Sequence, residues 1–313
     1  MDILPGLAAR FGEPFGDASA LPTYYVSKAA SREVKVAISG DGGDESFLGY
    51  TMFRGVMAAN RLEVIPAAVR SAGAGRAEWL RAAGARAQQP RLEMWARRLA
   101  DGLEGTELAF CRKKEMPGIR AATPFLRREV AANLGASDGM DAVRAALAAF
   151  DRAGPARHPL ERYVYAGFKV GLASDMLVKV DRMSMASSLE VRVPLLDHVL
   201  VEYVGRLPLE RRFSWRHLKQ QLRDVVRDAL PKEIVEGPKH GFTVPLDAWF
   251  KEDLVAYARE VFTDAETRRN GFVDADALAA VLDGKSPRPP RWSTLLWSLL
   301  MLELWRRHAG VTA

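Results

Sequence analysis

A mainly helical α/β chain with one or few strands is the fold class this sequence predicts, and three observations carry it. Only one segment, Val34 to Ile38, is a short apolar β-prone run of buried-strand length, and it feeds directly into Ser39-Gly40-Asp41-Gly42-Gly43-Asp44-Glu45. From Arg61 to His158 the apolar spacing is helical throughout, broken near Pro66, Gly73, Pro90, Gly102, Pro117-Gly118, Pro124 and Gly135. Trp292 to His308 is apolar nearly all round, which predicts a helix buried in the core.

Taken in order, Met1 to Arg10 reads as the tail of a helix, with Ile3, Leu4, Leu7 and Ala8 apolar. A turn-rich loop from Phe11 comes next, in which Asp17 or Ser19 can cap the next helix. Pro22 sits in that helix's first turn, and the helix runs to about Ala30. After the strand, the three glycines permit positive φ and inward-turned amides, a concave anion site at a strand end. Asp41, Asp44 and Glu45 make the turn acidic, which argues against bare phosphate and suits a phosphate bridged by Mg²⁺. A glycine-rich hairpin with solvated acids is the alternative. A helix from Phe47 to Asn60 leaves the turn.

Two later blocks stand out. In Asp175 to Pro208, Asp175 is a plausible cap for a helix bearing Leu177, Val178, Met183 and Met185 on one side. Asp181-Arg182 and Glu190-x-Arg192 set charges in an apolar stretch, where charges are usually paired. A helix capped by Asp197 then places Leu200, Val201, Val204 and Leu207 inward. In Leu230 to Phe250, Pro238 and Pro245 stiffen the loop that carries Lys239-His240-Gly241-Phe242. Lys239 there can serve as a point charge on a phosphate, while a lone His240 reads more simply as a packing or hydrogen-bonding residue.

Composition limits the function classes. The 313 residues can form one large domain with a sizeable core, and the single cysteine, Cys111, excludes an internal disulfide and fits a reducing, cytoplasmic setting. No signal-peptide pattern opens the sequence, and no apolar run suits a membrane span. The net charge of +6 resides between residues 61 and 158, where seventeen Lys or Arg face eleven Asp or Glu. Those arginines are scattered among alanines without interleaved aromatics, so a helical surface is read and no nucleic-acid partner is expected.

Together, SGDGGDESFLGY, LVKVDRMSMASSLEVRVPLLDH and PKHGFTVPLDAWF, in this order and spacing, resemble the C-terminal synthetase domain of glutamine-dependent asparagine synthetases. EPFGDASALPTYYVSKAA and LLWSLLMLELW extend the likeness almost end to end. The resemblance implies a pyrophosphatase-loop (PP-loop, adenine nucleotide α hydrolase-like) fold. It implies ATP and Mg²⁺ as cofactors, a small-molecule carboxylate as substrate, and ammonia from a glutaminase domain or subunit, with aspartate amidated to asparagine in the simplest case. By this likeness Ser39 and Gly40 contact ATP, Asp41 serves adenylation and the incoming amine, and Asp44 holds Mg²⁺-pyrophosphate. Lys239 neutralises the departing pyrophosphate, and Glu190 helps deprotonate the amine. It also implies one synthetase domain in three stretches: 1–60 from the nucleotide-binding core, 61–158 an Ala/Arg-rich helical region, and 159–313 the helical C-terminal part.

Departures from the family pattern shape the expectation. The Ser-Gly-Gly-x-Asp-Ser loop and two further strands are absent, as is the glutaminase domain with its cysteine after the initiator Met, since residue 2 is Asp2. Gly12, Ser46, Leu48, Ser187 and Gly237 also differ from usual residues. The expectation is therefore a synthetase lacking its first part and doubtful in activity alone, with a complementary N-terminal half as partner. Amidation of a polysaccharide or secondary-metabolite carboxylate, or a non-catalytic remnant that serves as an interaction partner, are the alternatives.

Overall fold

The computed structural model describes residues 3–63, 65–66, 73, 75–86, 89–107, 110, 119–135, 137–155, 158–237, 241–242, 244–251 and 253–312. Cys111, the Pro117-Gly118 break, Lys239 and His240 lie outside the described residues. The longer elements are α1 (Ile3–Ala8), α2 (Ala20–Ala30), β1 (Val36–Ile38), α3 (Gly43–Ser46), α4 (Thr51–Leu62), α5 (Ala77–Arg86) and α6 (Pro90–Glu104). They continue with α7 (Asp141–Ala153), α8 (Leu160–Ala166), α9 (Leu177–Met185), β2 (Glu190–Arg192), α10 (His198–Arg206), α11 (Asp253–Thr263), α12 (Ala275–Leu282) and α13 (Trp292–Ala309). The chain is mainly helical, as its spacing predicts.

Among the described residues two apolar cores gather most of these helices. The larger surrounds α13, whose Leu295, Leu296, Trp297, Leu299 and Leu300 are all buried; α13 packs against α1 and α11, and α12 adds Leu278, Val281 and Leu282 to the same core. A helix apolar on every side can satisfy itself only in the middle of others, and α13 does so. It ends at Gly310, whose φ of +68° gives the left-handed cap that a side chain would resist. The smaller core joins Phe53 and Val56 of α4 to Leu147 of α7, Leu160 and Tyr163 of α8, and Phe110.

Among the described residues the sheet is two strands, β1 and β2, paired in parallel with Val36 opposite Glu190 and Ile38 opposite Arg192. The second strand is a finding the sequence reading lacks. Leu189-Glu190-Val191-Arg192-Val193 does alternate apolar and charged residues, but three residues of strand are too few for that period to stand out. In this register Lys35 O accepts from Glu190 N, and Ser39 N donates to Arg192 O. The amides and carbonyls of Val36 and Ile38 therefore point to the other edge, where no described backbone group meets them. Their side chains are also exposed, Ile38 at 76% and Val36 at 41%.

Two element expectations change. Asp175 caps no helix: Gly167–Met176 is a π-helical stretch that runs on into α9, so Asp175 is interior to continuous helical backbone. The helix expected from Phe47 is two pieces, α3 and α4, separated by a turn in which Leu48 adopts φ +54°. A left-handed leucine costs about 1 kcal/mol, and burying its side chain in the smaller core offsets that.

Candidate functional site

A cleft of about 1250 Å³ opens where β1 ends, lined on one side by Ser39, Gly40, Asp41, Gly42, Asp44 and Glu45. The C-terminal end of a parallel strand is where open α/β sheets expose the backbone turns that receive ligands. Here Gly42 makes the turn possible. Its φ is +83°, and a Cβ on it would lie 2.1 Å from Leu196 Cδ2, so any side chain would strain the backbone and displace the leucine. Gly40 and Gly43 show no positive φ. The amides of Gly40 and Gly42 make no hydrogen bond among the described residues, leaving two donors at the mouth of the turn.

The three carboxylates of the turn are held differently. Asp41 Oδ2 accepts a 2.6 Å hydrogen bond from Ser39 Oγ, which fixes both side chains at the strand end. Asp44 forms a 3.2 Å ion pair with Lys219 Nζ. Glu45 is buried and accepts from the Tyr50 hydroxyl at 2.8 Å. Burial pushes the Glu45 carboxyl above the usual range, and the Tyr50 hydrogen bond only partly opposes it.

The facing wall carries a second charged set. Lys179 of α9 is buried and donates to Asp17 Oδ2 and to Ser19 Oγ, both at 2.7 Å. Asp17 also accepts from the Ser19 amide at 2.9 Å, so Asp17 and Ser19 fold back on each other and on Lys179; neither side chain caps α2. Burial alone would raise the Asp17 carboxyl, but the Lys179 charge and its hydrogen bond, with those of Ser19, carry it below its usual value.

Of the residues the sequence singles out, Ser39, Gly40, Asp41 and Asp44 meet in this cleft. Lys239 lies outside the described residues, and its chain neighbours Gly241 and Phe242 line the cleft. Glu190 stands apart. Leu189 and Val191 line the cleft, whereas the exposed Glu190 carboxylate accepts from Arg192 Nε at 2.8 Å. Alternation along a strand sends neighbouring side chains to opposite faces. Asp181 and Arg182 are exposed on α9.

Sequence reasoning missed Lys219 and Lys179. Lys219 sits in Trp215-Arg-His-Leu-Lys among other basic residues, and only the fold brings it to Asp44. Lys179 meets Asp17 across 162 residues, a distance over which spacing gives no signal.

Chemically, the turn offers amide donors, a carboxylate already balanced by a lysine, and a second carboxylate beside them. Among the described residues no group of three His, Cys, Asp or Glu could hold a metal ion unaided. Mg²⁺ commonly uses one or two carboxylates and completes its shell with water and phosphate oxygens, so Asp44 and Asp41 fit a cation that arrives with a phosphate ligand.

Comparison with known proteins gives a consistent picture. The family profile described as Asparagine synthase matches residues 1–307. Asparagine synthetase [glutamine-hydrolyzing] 1 of Bacillus subtilis is 25% identical over 309 residues, which are 97% of this chain and 45% of that protein. A putative asparagine synthetase [glutamine-hydrolyzing] of Mycobacterium tuberculosis is 28% identical over 306 residues, 96% of this chain and 44% of its own. A short 40-residue stretch is 60% identical to a putative asparagine synthetase [glutamine-hydrolyzing] 2 of Methanocaldococcus jannaschii. The chain thus spans a little under half the length of the curated relatives it matches along its length. No solved structure matches it.

Proposed function

We propose, from the premise that this chain belongs to the asparagine synthase family, that it supplies part of an ATP-dependent, amide-forming synthetase site. The reaction is activation of a carboxylate by ATP with release of pyrophosphate, followed by attack of ammonia on the acyl-adenylate; aspartate is the simplest acceptor. The observation that carries this reading is the convergence of Ser39, Gly40, Asp41 and Asp44 at the end of β1.

In this scheme the Gly40 and Gly42 amides and Ser39 receive phosphate oxygens, an arrangement suited to anions. Asp44 holds the Mg²⁺ that travels with them, and Mg²⁺ supplies charge neutralisation on the phosphates. Lys239, and Lys219 beside Asp44, oppose the negative charge that develops on pyrophosphate as it leaves. Asp41 orients the reacting carboxylate side. Glu190 acts on the amine only if its side chain leaves Arg192.

The free edge of β1, with Ile38 and Val36 exposed, supports a partner segment that continues the sheet as a PP-loop fold and brings the Ser-Gly-Gly-x-Asp-Ser loop. A glutaminase domain or subunit would deliver ammonia. We assign residues 1–60, 61–158 and 159–313 as three stretches of one synthetase domain.

ATP–pyrophosphate exchange tests the proposal. The chain alone should exchange weakly or not at all. With a complementary segment carrying the missing loop, exchange should become dependent on Mg²⁺ and on aspartate. Complemented protein that binds its partner yet exchanges with no carboxylate would refute the synthetase reading in favour of a non-catalytic role.

A further inference from the structure

In chain order, two short helices lie between Lys219 and Lys239: Gln220–Val226 and Lys232–Glu236. Lys219 stands at the head of the first with φ +54°, a left-handed backbone that a lysine keeps only where its surroundings hold it. Its Nζ forms the 3.2 Å ion pair with Asp44. Glu236 ends the second helix, and Gly237-Pro238-Lys239 follows directly in the sequence.

One half-buried side chain ties both places. Arg223 Nε donates to Leu218 O at 3.0 Å, just ahead of Lys219, and the Arg223 amide donates to Lys219 O at 3.0 Å. From the same guanidinium, Nη2 donates to Gly237 O at 3.3 Å and Nη1 to Val235 O. The last carbonyls of a helix have no amide of their own to meet, so a donor that meets them also fixes how the chain leaves. Among the described residues no carboxylate pairs with Arg223, and its charge is directed at carbonyls alone. Hydrogen bonds from an ionised donor are the stronger kind, and a flat guanidinium sets directions as well as distances. A lysine ammonium is a single point and cannot span carbonyls on both sides.

We propose that Arg223 is the positioning residue for the two lysines: it holds the Lys219 turn and the start of the Lys239 loop in one fixed relation, so that both cations oppose the same leaving group. This rests on the synthetase reading above, in which both lysines oppose charge on pyrophosphate. Arg223 itself is not among the residues that line the cleft. Its effect is on placement, and a shift of about 1 Å in a charged group at a reacting centre can cost about 100-fold in rate.

Two measurements test it. In the first, trypsin cuts the native full chain, and the product ending at Lys239 is timed by mass spectrometry against the cut after Lys285, an exposed lysine outside these helices. Arg223→Ala should speed the Lys239 cut about tenfold or more and leave the Lys285 cut unchanged. Arg223→Lys keeps the charge and the helix; it should unfold like the parent in urea and still show the faster cut. In the second, on the complemented protein, Arg223→Ala should lower ATP–pyrophosphate exchange about 100-fold. Added to Lys239→Ala, the same change should cost a further tenfold at most, because the lysine it places is already gone. A residue that only supports the fold would give losses that multiply. Equal Lys239 cutting in the parent and both variants overturns the proposal, as does full exchange by Arg223→Ala or a multiplied loss in the double variant. Absence of exchange in the complemented parent faults the synthetase reading alone, and the cutting rates then decide the tie by themselves.

Discussion

At the C-terminal end of α13, charge is buried and fully answered. Glu303 and Arg306 are 0% and 1% exposed. Glu303 accepts from Arg306 Nε at 3.0 Å, Arg307 Nε at 3.3 Å and Thr267 Oγ1 at 2.9 Å. Arg306 further pairs with Glu266 and donates to Val311 O at 2.7 Å. The acidic turn at the end of β1 is half-answered. Asp44 has Lys219, but among the described residues Asp41 is held only by Ser39, and the amides of Gly40 and Gly42 make no hydrogen bond. Saturation of hydrogen bonds marks a charge cluster whose work is to hold elements together. Donors and acceptors left over at a cleft are what a ligand can complete.

The sharpest test of that contrast is Glu303→Ala. It removes the buried acceptor shared by Arg306, Arg307 and Thr267, leaves Arg306 its Glu266 pair, and should cost about 2–3 kcal/mol, read as a lower urea midpoint with unchanged slope. If the loss is under about 1 kcal/mol, the cluster is not the tie described. Next, in the complemented protein, Lys239→Ala should lower ATP–pyrophosphate exchange about 100-fold or more while leaving the urea midpoint unmoved. Normal exchange would remove that lysine from the site.

Lys179→Met should cost about 3 kcal/mol at pH 7 by leaving Asp17 unpaired. The Asp17 carboxyl is held below its usual value in the folded protein. Its stabilisation is therefore full above the unfolded value of about 3.9 and is lost as pH falls through the lowered folded one. The gap between parent and Lys179→Met should accordingly close in acid. Glu45 has the opposite sign. Its folded value is raised, so the parent loses stability as pH rises from the ordinary carboxylate range through that value. Glu45→Gln should gain stability at pH 7 relative to pH 4, a small effect visible in matched urea curves; a loss at pH 7 would show that the ionised form is the stabilised one.

What could be read from the sequence was local. The strand into Ser39-Gly40-Asp41-Gly42 is a change of periodicity followed by glycines, and α13 declares itself by being apolar on all sides. Asp197 caps α10 as its position predicts, accepting from the amide of Val199 at 2.9 Å. The features that escaped were non-local. β2 exists because β1 is beside it, Lys219 reaches Asp44 from a remote turn, and the carbonyls that Arg223 gathers are set side by side only by the fold. Glu190 shows the difference most clearly: the family resemblance implied a role at the cleft, while the pleat of β2 directs its carboxylate to Arg192, the pairing that the Glu190-x-Arg192 spacing suggests.

The π-helical stretch Gly167–Met176 has one more consequence, for insertions and deletions. Its backbone closes wider turns, as where the Leu177 amide reaches back five residues to Leu172 O. A wide turn holds a residue more than an α-helical one, so deleting one residue there lets the stretch wind as ordinary α-helix while α9 keeps its phase and Lys179 its place beside Asp17. A residue lost from the regular turn of α9 ahead of Lys179 has no such slack, and it turns the rest of the helix by about 100° and carries Lys179 away from Asp17. A single codon lost in the wide stretch should therefore spare the charge pair, and one lost from α9 ahead of Lys179 should undo it.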